Sequence, residues 1–296
     1  MNNKTWTILQ LLNWTSQYFN ENGIENPRLD AESLLAHSLK TDRLRLYLNY
    51  DKPIHKDELR EYKKLIKRRI KREPLQYITG YQEFWSLNLK VARGVLIPRP
   101  ETEILVEEAL KTFPQNKSFD KTINILELGT GSGAVAIALA KELQRGSIVA
   151  TDISDIAIKT ARENAKVHGL EEQITFLKGS LFEPVRERIG TFNLVISNPP
   201  YIPIEDFRDI QPEVRNFEPR ISLNGGKEGL KFYRQIFSQI GRYLAKDGWV
   251  ILELGKGQAE KVTRLIELTG EFNPTSIIKD FSGIERVVKA QRKDRK

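Results

Sequence analysis

At 296 residues and a net charge of +8, the chain suits one large or two modest domains and is long enough to bury a substantial core. Charged residues at 29% and hydrophobic ones at 40% indicate a soluble globular protein, and the absence of cysteine excludes disulfides and thiolate chemistry. The longest apolar runs fall far short of a membrane span, and the three scattered histidines give no metal-ligand spacing, so neither membrane nor metal is expected.

The opening residues Met1 to Trp6 lack the apolar centre of a signal peptide, which makes the cytoplasm the expected location. Residues 1–73 read as helices. Ile8, Leu11, Leu12, Tyr18 and Phe19 form one stripe that ends near Gly23 as a C-cap. Asp30 is expected to cap a second helix carrying Leu34, Leu35 and Leu39. A third, with Leu59, Tyr62, Ile66 and Ile70 at helical spacing, carries Lys63, Lys64, Lys67, Arg68, Arg69, Lys71 and Arg72. That basic run is either the wet face of an amphipathic helix or a docking surface. A second cluster, Lys289, Arg292, Lys293, Arg295 and Lys296, reads as a frayed, solvated tail.

Residues 74–97 read as a linker. Trp85, Leu87, Leu89 and Val91 alternate with polar residues as a strand, with Val95 to Ile97 its expected hairpin partner across Ala92-Arg93-Gly94. Residues 98–296 alternate strands with helices, the pattern of a mainly parallel α/β sheet, with Trp249 to Leu254 and Arg286 to Lys289 as late strands.

Three motifs carry chemistry. An apolar strand runs through Glu127-Leu128 into Gly129-Thr130-Gly131-Ser132-Gly133 and then into an alanine-rich helix. Glycines there let a ligand approach the backbone. The spacing is neither the dinucleotide fingerprint nor a P-loop, which points to a nucleoside with a small tail rather than a pyrophosphate. The next strand ends at Asp152, about 20 residues beyond the glycine turn, where a ribose-binding carboxylate is expected. Standing alone, Asp152 would read as a helix cap. Finally, the strand Leu194 to Ser197 stops at Asn198-Pro199-Pro200-Tyr201. The Asn198 side-chain oxygen and the proline-flanked carbonyls make a corner rich in acceptors and poor in donors. Tyr201 adds an aromatic face, so the corner suits a planar –NH2 group.

Glu127-Leu128-Gly129-Thr130-Gly131-Ser132-Gly133 together with Asn198-Pro199-Pro200-Tyr201 resembles the class I S-adenosylmethionine-dependent methyltransferases, and among them the protein-glutamine N5-methyltransferases of the HemK/PrmC type. Arg72 to Gly80, Leu96 to Glu103, Glu218-Pro219-Arg220, Leu252 to Gly255 and Asp280 to Gly283 extend the resemblance over most of the chain. It implies a Rossmann-like sheet of seven strands with the last antiparallel, a small N-terminal helical bundle that recognises the substrate, and a β-hairpin linker. It also implies S-adenosyl-L-methionine as cofactor, held by Gly129, Thr130, Gly131, Ser132, Gly133 and Asp152, with Asn198 beside it. Asn198, Pro199, Pro200 and Tyr201 would hold the substrate glutamine of the Gly-Gly-Gln loop in peptide chain release factors. Leu181 and Phe182 are candidates to cover the adenine, their other reading being core residues; Ser180 stands where family members often carry an acid. Glu127 reads either as a contact to the methionine moiety or as a solvated strand-end acid. Arg99, Glu101 and Glu103 read as interdomain salt bridges or as a rim closing the substrate mouth. The expected protein is a monomer that binds neither membrane nor nucleic acid directly.

An amide nitrogen is a poor nucleophile, so the expected mechanism is aim: Asn198 Oδ1 and the Pro199 carbonyl accept the two amide hydrogens and stabilise the charge developing on nitrogen. An N-protonated amide is very acidic, and no general base is required. Two other substrates stay open: a glutamine of a ribosomal protein, whose enzymes resemble Pro-Arg-Ser-Pro where this chain has Pro98 to Glu103, and a base amino group of nucleic acid. A non-catalytic RNA- or ribosome-binding module is the reading from another class; intact Gly129, Gly131, Gly133, Asp152 and Asn198 speak against it.

Overall fold

The computed structural model describes residues 6–114 and 122–294. Met1 to Thr5, Arg295 and Lys296, on which the leader and part of the tail expectations fall, lie outside them. The chain divides into two compact units, one comprising the residues up to Tyr81 together with Gln211–Phe217, the other Gln82–Ile210 with Glu218–Lys296.

The first unit is helical, with helices Ile8–Glu21, Pro27–Ser38, Arg43–Leu48, Lys56–Ile70 and Leu75–Thr79. Thr7 and Gln10 form a reciprocal capping box at its start, satisfying two otherwise orphan backbone donors. Leu11, Leu12, Phe19, Leu34, Leu35, Tyr62 and Ile66 make one buried cluster, as the helical stripes require. Asp30 is not a cap. The helix begins at Pro27, and Asp30 lies buried inside its first turn, where it accepts from Arg69 Nε at 2.6 Å. Arg69 also donates to Glu213 at 2.9 Å, joined there by Arg72, and Arg68 pairs with Glu73. These three arginines of the basic run are thus tied up within the unit, not displayed as a docking surface. Removing one partner of such a buried pair strands the other charge, which is why burial tolerates them only together.

The second unit opens with a two-stranded hairpin, β1 (Tyr81–Phe84) and β2 (Leu87–Lys90). Its turn is Trp85-Ser86, both at positive φ, as a two-residue I′ turn demands. The partner of β2 therefore lies upstream, and Val95 to Ile97 forms no strand. The hairpin is no loose linker, because Phe84, Leu87 and Leu89 are buried in the core of this unit.

The main sheet contains β3 (Ile123–Leu128), β4 (Gly146–Asp152), β5 (Ile174–Lys178), β6 (Phe192–Ser197), β7 (Leu244–Glu253), β8 (Ser276–Lys279) and β9 (Glu285–Gln291). Their order is β5-β4-β3-β6-β7-β9-β8, parallel except for β9, which is antiparallel to both neighbours. Both faces are covered. Ile125, Leu194 and Ile196 join one buried cluster with helices Glu103–Thr112, Ala134–Glu142 and Asp155–Val167; the alternate residues Leu126, Leu128 and Val195 join the other with helices Lys231–Phe237 and Ala259–Thr269. The C-terminal basic cluster is not frayed up to its last residues. Lys289 lies in β9 and pairs with Glu108, and Arg292 donates to the Leu244 carbonyl.

The order reverses between β3 and β6, and a crevice at such a switch point is where ligands sit in open α/β sheets. The register then decides which residues meet there. Leu128 pairs with Thr151 on one side and Ser197 on the other, and Ser197 pairs with Leu252. The next residue of each strand or its exit is Asp152, Gly129, Asn198 and Glu253. Residues scattered over a hundred positions thus form one row along the carboxyl edge of the sheet.

Candidate active site

A cleft at this edge, wholly within the second unit, is lined by Gly129, Thr130, Gly131, Ser132, Asp152, Leu181, Asn198, Pro199 and Pro200, together with Arg99, Thr102 and Glu127. The expected cofactor and acceptor motifs therefore share one space.

The glycine turn is built from the backbone. Gly129, Gly131 and Gly133 all have positive φ, which a side chain would strain. The Gly129 and Thr130 amides donate to the Thr151 carbonyl at 2.8 and 3.0 Å, and the Gly131 amide donates to Asp152 Oδ2 at 2.9 Å. Asp152 Oδ1 accepts from the Ser154 amide at 2.9 Å. Asp152 thus clamps the turn, and a carboxylate's roughly four lone-pair sites exceed the donors bound there. Burial raises its pKa against those two amide bonds. A methyl group built on Gly129 or Gly131 meets no protein atom within 4 Å, so the space before the turn is open. Gly133 does not line the cleft; it starts the helix, packed closely against Ile137 and Ala161.

Glu127 is no solvated acid. It is buried and accepts from Thr130 Oγ1 at 2.6 Å; burial, reinforced by the Asp152 charge and opposed by that hydrogen bond, pushes its pKa up to about 7. Leu181 lines the cleft with φ +47°, its carbonyl held by the Thr151 hydroxyl at 3.1 Å. Phe182 does not line it. Its side chain is buried in the core, stacked on Tyr243 at 4.5 Å between centroids, so of the two adenine candidates Leu181 is the one among the cleft-lining residues.

Beyond Pro200 the chain is pinned by backbone bonds: Ile202 N to Leu223 O at 2.9 Å, Gly225 N to Ile202 O at 2.9 Å and Ile204 N to Gly226 O at 3.1 Å. Gln258 donates to the Tyr201 carbonyl at 2.9 Å. The Tyr201 side chain is not in the cleft lining; its hydroxyl donates to Glu253 Oε1 at 3.1 Å, and burial beside that carboxylate raises its pKa. The Tyr201 ring is therefore not the expected aromatic platform. Asn198 Nδ2 donates to Thr102 Oγ1 at 3.1 Å, and Thr102 Oγ1 donates to Glu253 Oε2 at 2.6 Å. Glu253 is fully buried, which pushes its pKa up to about 7 against the Thr102 and Tyr201 hydrogen bonds.

Arg99 and Glu103 make bonds inside this unit. Arg99 lines the cleft and pairs with buried Glu218, which also accepts from the Ile97 amide at 3.2 Å. Glu103 accepts from the Trp85 amide in the hairpin turn at 2.7 Å. Thr102, Glu218 and Glu253 carried no role in the sequence reading. The available signal was a carboxylate closing an apolar strand, Val250 to Glu253, where a charge needs a partner. Among the described residues no group of three side chains could hold a metal ion, and no helix is long and apolar enough to cross a membrane.

The fold belongs to a methyltransferase class. A Pyrococcus furiosus methyltransferase superposes with a TM-score of 0.52 at 20% identity, covering 70% of this chain and 90% of that one. The catalytic domain of human METTL16 superposes at 0.58 with 14% identity, covering 76% and 82%. Residues 102–210 match the methyltransferase small domain, and residues 10–80 match the PrmC N-terminal domain. Among whole-chain relatives, the release factor glutamine methyltransferase of Geobacter sulfurreducens is 47% identical over 96% of both chains. That of Rhodopirellula baltica is 36% identical over 98% of both, and that of Bacillus cereus 35% identical over 96% of this chain and 99% of its own. The chain belongs to the release factor glutamine methyltransferase family.

Proposed function

We propose that this enzyme transfers a methyl group from S-adenosylmethionine to the side-chain amide nitrogen of the glutamine in the Gly-Gly-Gln loop of peptide chain release factors. The observation that carries the reading is the row along the sheet edge: the glycine turn and Asp152 on one side of the switch point, Asn198-Pro199-Pro200 on the other, in one cleft.

The residues present fit the cofactor. The open space before Gly129 and Gly131 admits a ligand against the backbone, and the Asp152 carboxylate accepts ribose hydroxyls while holding the turn. Leu181 covers the adenine, and buried Glu127 stands towards the methionine end. When bound, S-adenosylmethionine supplies a sulfonium methyl group open to in-line displacement. Asn198 Oδ1 and the Pro199 carbonyl accept the two hydrogens of the substrate amide and fix its nitrogen for attack. The same acceptors stabilise the positive charge that grows on nitrogen before its proton leaves to water. The helical unit, which holds none of the cleft residues, recognises the protein substrate, and the enzyme acts in the cytoplasm.

The test is incubation with methyl-labelled S-adenosylmethionine and three acceptors in parallel: a release factor, ribosomal proteins and nucleic acid. The expected result is label on the release factor that disappears when the Gly-Gly-Gln glutamine is replaced. Label only on a ribosomal protein or nucleic acid would overturn the substrate assignment and leave the fold and cofactor standing.

A further inference from the structure

We propose that Thr102 and Glu253 are positioning residues that hold the Asn198 amide with its oxygen, rather than its nitrogen, presented to the acceptor. The inference rests on the glutamine-methylation reading and deepens it.

An asparagine amide fits a site of given shape either way round, and the two ends have opposite hydrogen-bonding character. The proposed chemistry needs the oxygen outward, because a substrate –NH2 offers only donors. Something must therefore break the symmetry. Pro199 and Pro200 cannot do so by donation, since neither carries an N–H.

The structure supplies a chain of fixed direction. When ionised, above its pKa of about 7, the Glu253 carboxylate can only accept. Its Oε2 takes the single hydroxyl hydrogen of Thr102 at 2.6 Å. The Thr102 oxygen is left with lone pairs alone, so the group facing it has to donate; Asn198 Nδ2 does so at 3.1 Å. The amide oxygen is then the end left for the substrate. Glu253 Oε1 meanwhile takes the Tyr201 hydroxyl at 3.1 Å, so one buried carboxylate sets both ends of the Asn198 to Tyr201 segment. The backbone carbonyl of Glu253 accepts from Tyr233 at 2.7 Å, and Arg286 and Glu101 supply the nearby charges. The three elements come from distant parts of the chain: the entry to helix Glu103–Thr112, the end of β6 and the end of β7.

Thr102→Val keeps the shape and deletes the hydroxyl. The expected result is a kcat lowered about 10- to 100-fold through misplacement of the acceptor nitrogen, with the cofactor Kd and the KM for release factor within about threefold on the same argument. Thr102→Ser restores the hydroxyl and should recover kcat to within about threefold of wild type. Combined with Asn198→Ala, Thr102→Val should cost nothing further, because it acts through that side chain. A folded Thr102→Val enzyme with wild-type kcat overturns the proposal, as does additivity in the double variant. Should Thr102→Val fail to fold, Thr102→Ser decides: wild-type kcat supports the hydroxyl relay, and a loss beyond about tenfold at unchanged melting temperature overturns it. A wild-type enzyme that labels no release factor removes the functional reading itself, which none of these variant outcomes mimics.

Discussion

Two buried glutamates flank the strand that ends at Asn198, and they are built alike. Glu127 ends near the tip of β3 and Glu253 at the tip of β7; each is almost wholly enclosed, each accepts from a threonine hydroxyl at 2.6 Å, and each has its pKa lifted to about 7 by burial. They differ in reach. The Thr130 hydroxyl that serves Glu127 lies three residues away in the glycine turn, so that pair closes on itself and bears on the proposed cofactor side. Thr102 lies far from Glu253 in sequence and passes its constraint on to Asn198, so that pair bears on the proposed acceptor side. The same local chemistry does two jobs because β6 lies between the two strands.

The sharpest way to break this division is at Asn198. Asn198→Ala should lower kcat by about 10²- to 10³-fold, the usual loss when a group aimed at developing charge is removed, while cofactor affinity in a calorimetric titration stays within a few fold. A variant with near wild-type turnover would end the aiming role. On the other side, Asp152→Ala removes the acceptor for the Gly131 and Ser154 amides and, on the proposed function, for the ribose. Cofactor Kd should rise roughly 10- to 100-fold, the cost of leaving buried donors unpaired, with a smaller loss of kcat at saturating cofactor.

The two glutamates themselves predict a pH dependence. An acid with a raised pKa holds more protons in the folded chain than in the unfolded one between its ordinary 4.5 and about 7. The stability it contributes is therefore complete below that window and is lost as pH rises through it. Glu127→Gln and Glu253→Gln should each shrink the fall in melting temperature between about pH 5 and 8, by roughly 2–4 °C for each kcal/mol of ionisation penalty removed. Profiles parallel to wild type would contradict the buried, paired state of these acids. The smallest effect is expected at Gly133, where a methyl group meets Ile137 and Ala161 at 3.0 and 3.1 Å and φ is +85°. Gly133→Ala should cost about 1–2 kcal/mol of stability, measured by chemical denaturation, with cofactor affinity retained.

The same contrast explains what the amino-acid sequence disclosed. The glycine turn, Asp152 and Asn198-Pro199-Pro200 are each local patterns: strand, punctuation, chemistry. Their meeting follows from strand order, which alternating strands and helices already imply. Thr102 and Glu253 are joined only through tertiary register; a carboxylate closing an apolar strand marks Glu253 as needing a partner, but nothing local names Thr102 as that partner. Phe182 and Tyr201 misled for a related reason. Aromatic residues beside a motif suit a ligand face, yet the competing demand to fill the core beside Tyr243, or to satisfy Glu253, won in each case. Asp30 looked like a cap because capping is the commonest local use of an aspartate before a helix; the partner that overrides it, Arg69, comes from a helix further along the chain. The hairpin shifted upstream because Trp85 and Ser86 adopt positive φ without a glycine to advertise it.

Where the methyl group goes is decisive for the proposed function. Tandem mass spectrometry of release factor treated with the enzyme and S-adenosylmethionine should find one added methyl, on the side-chain amide of the Gly-Gly-Gln glutamine. A methyl group on any other residue, or none on that glutamine while the enzyme binds its cofactor, would contradict it.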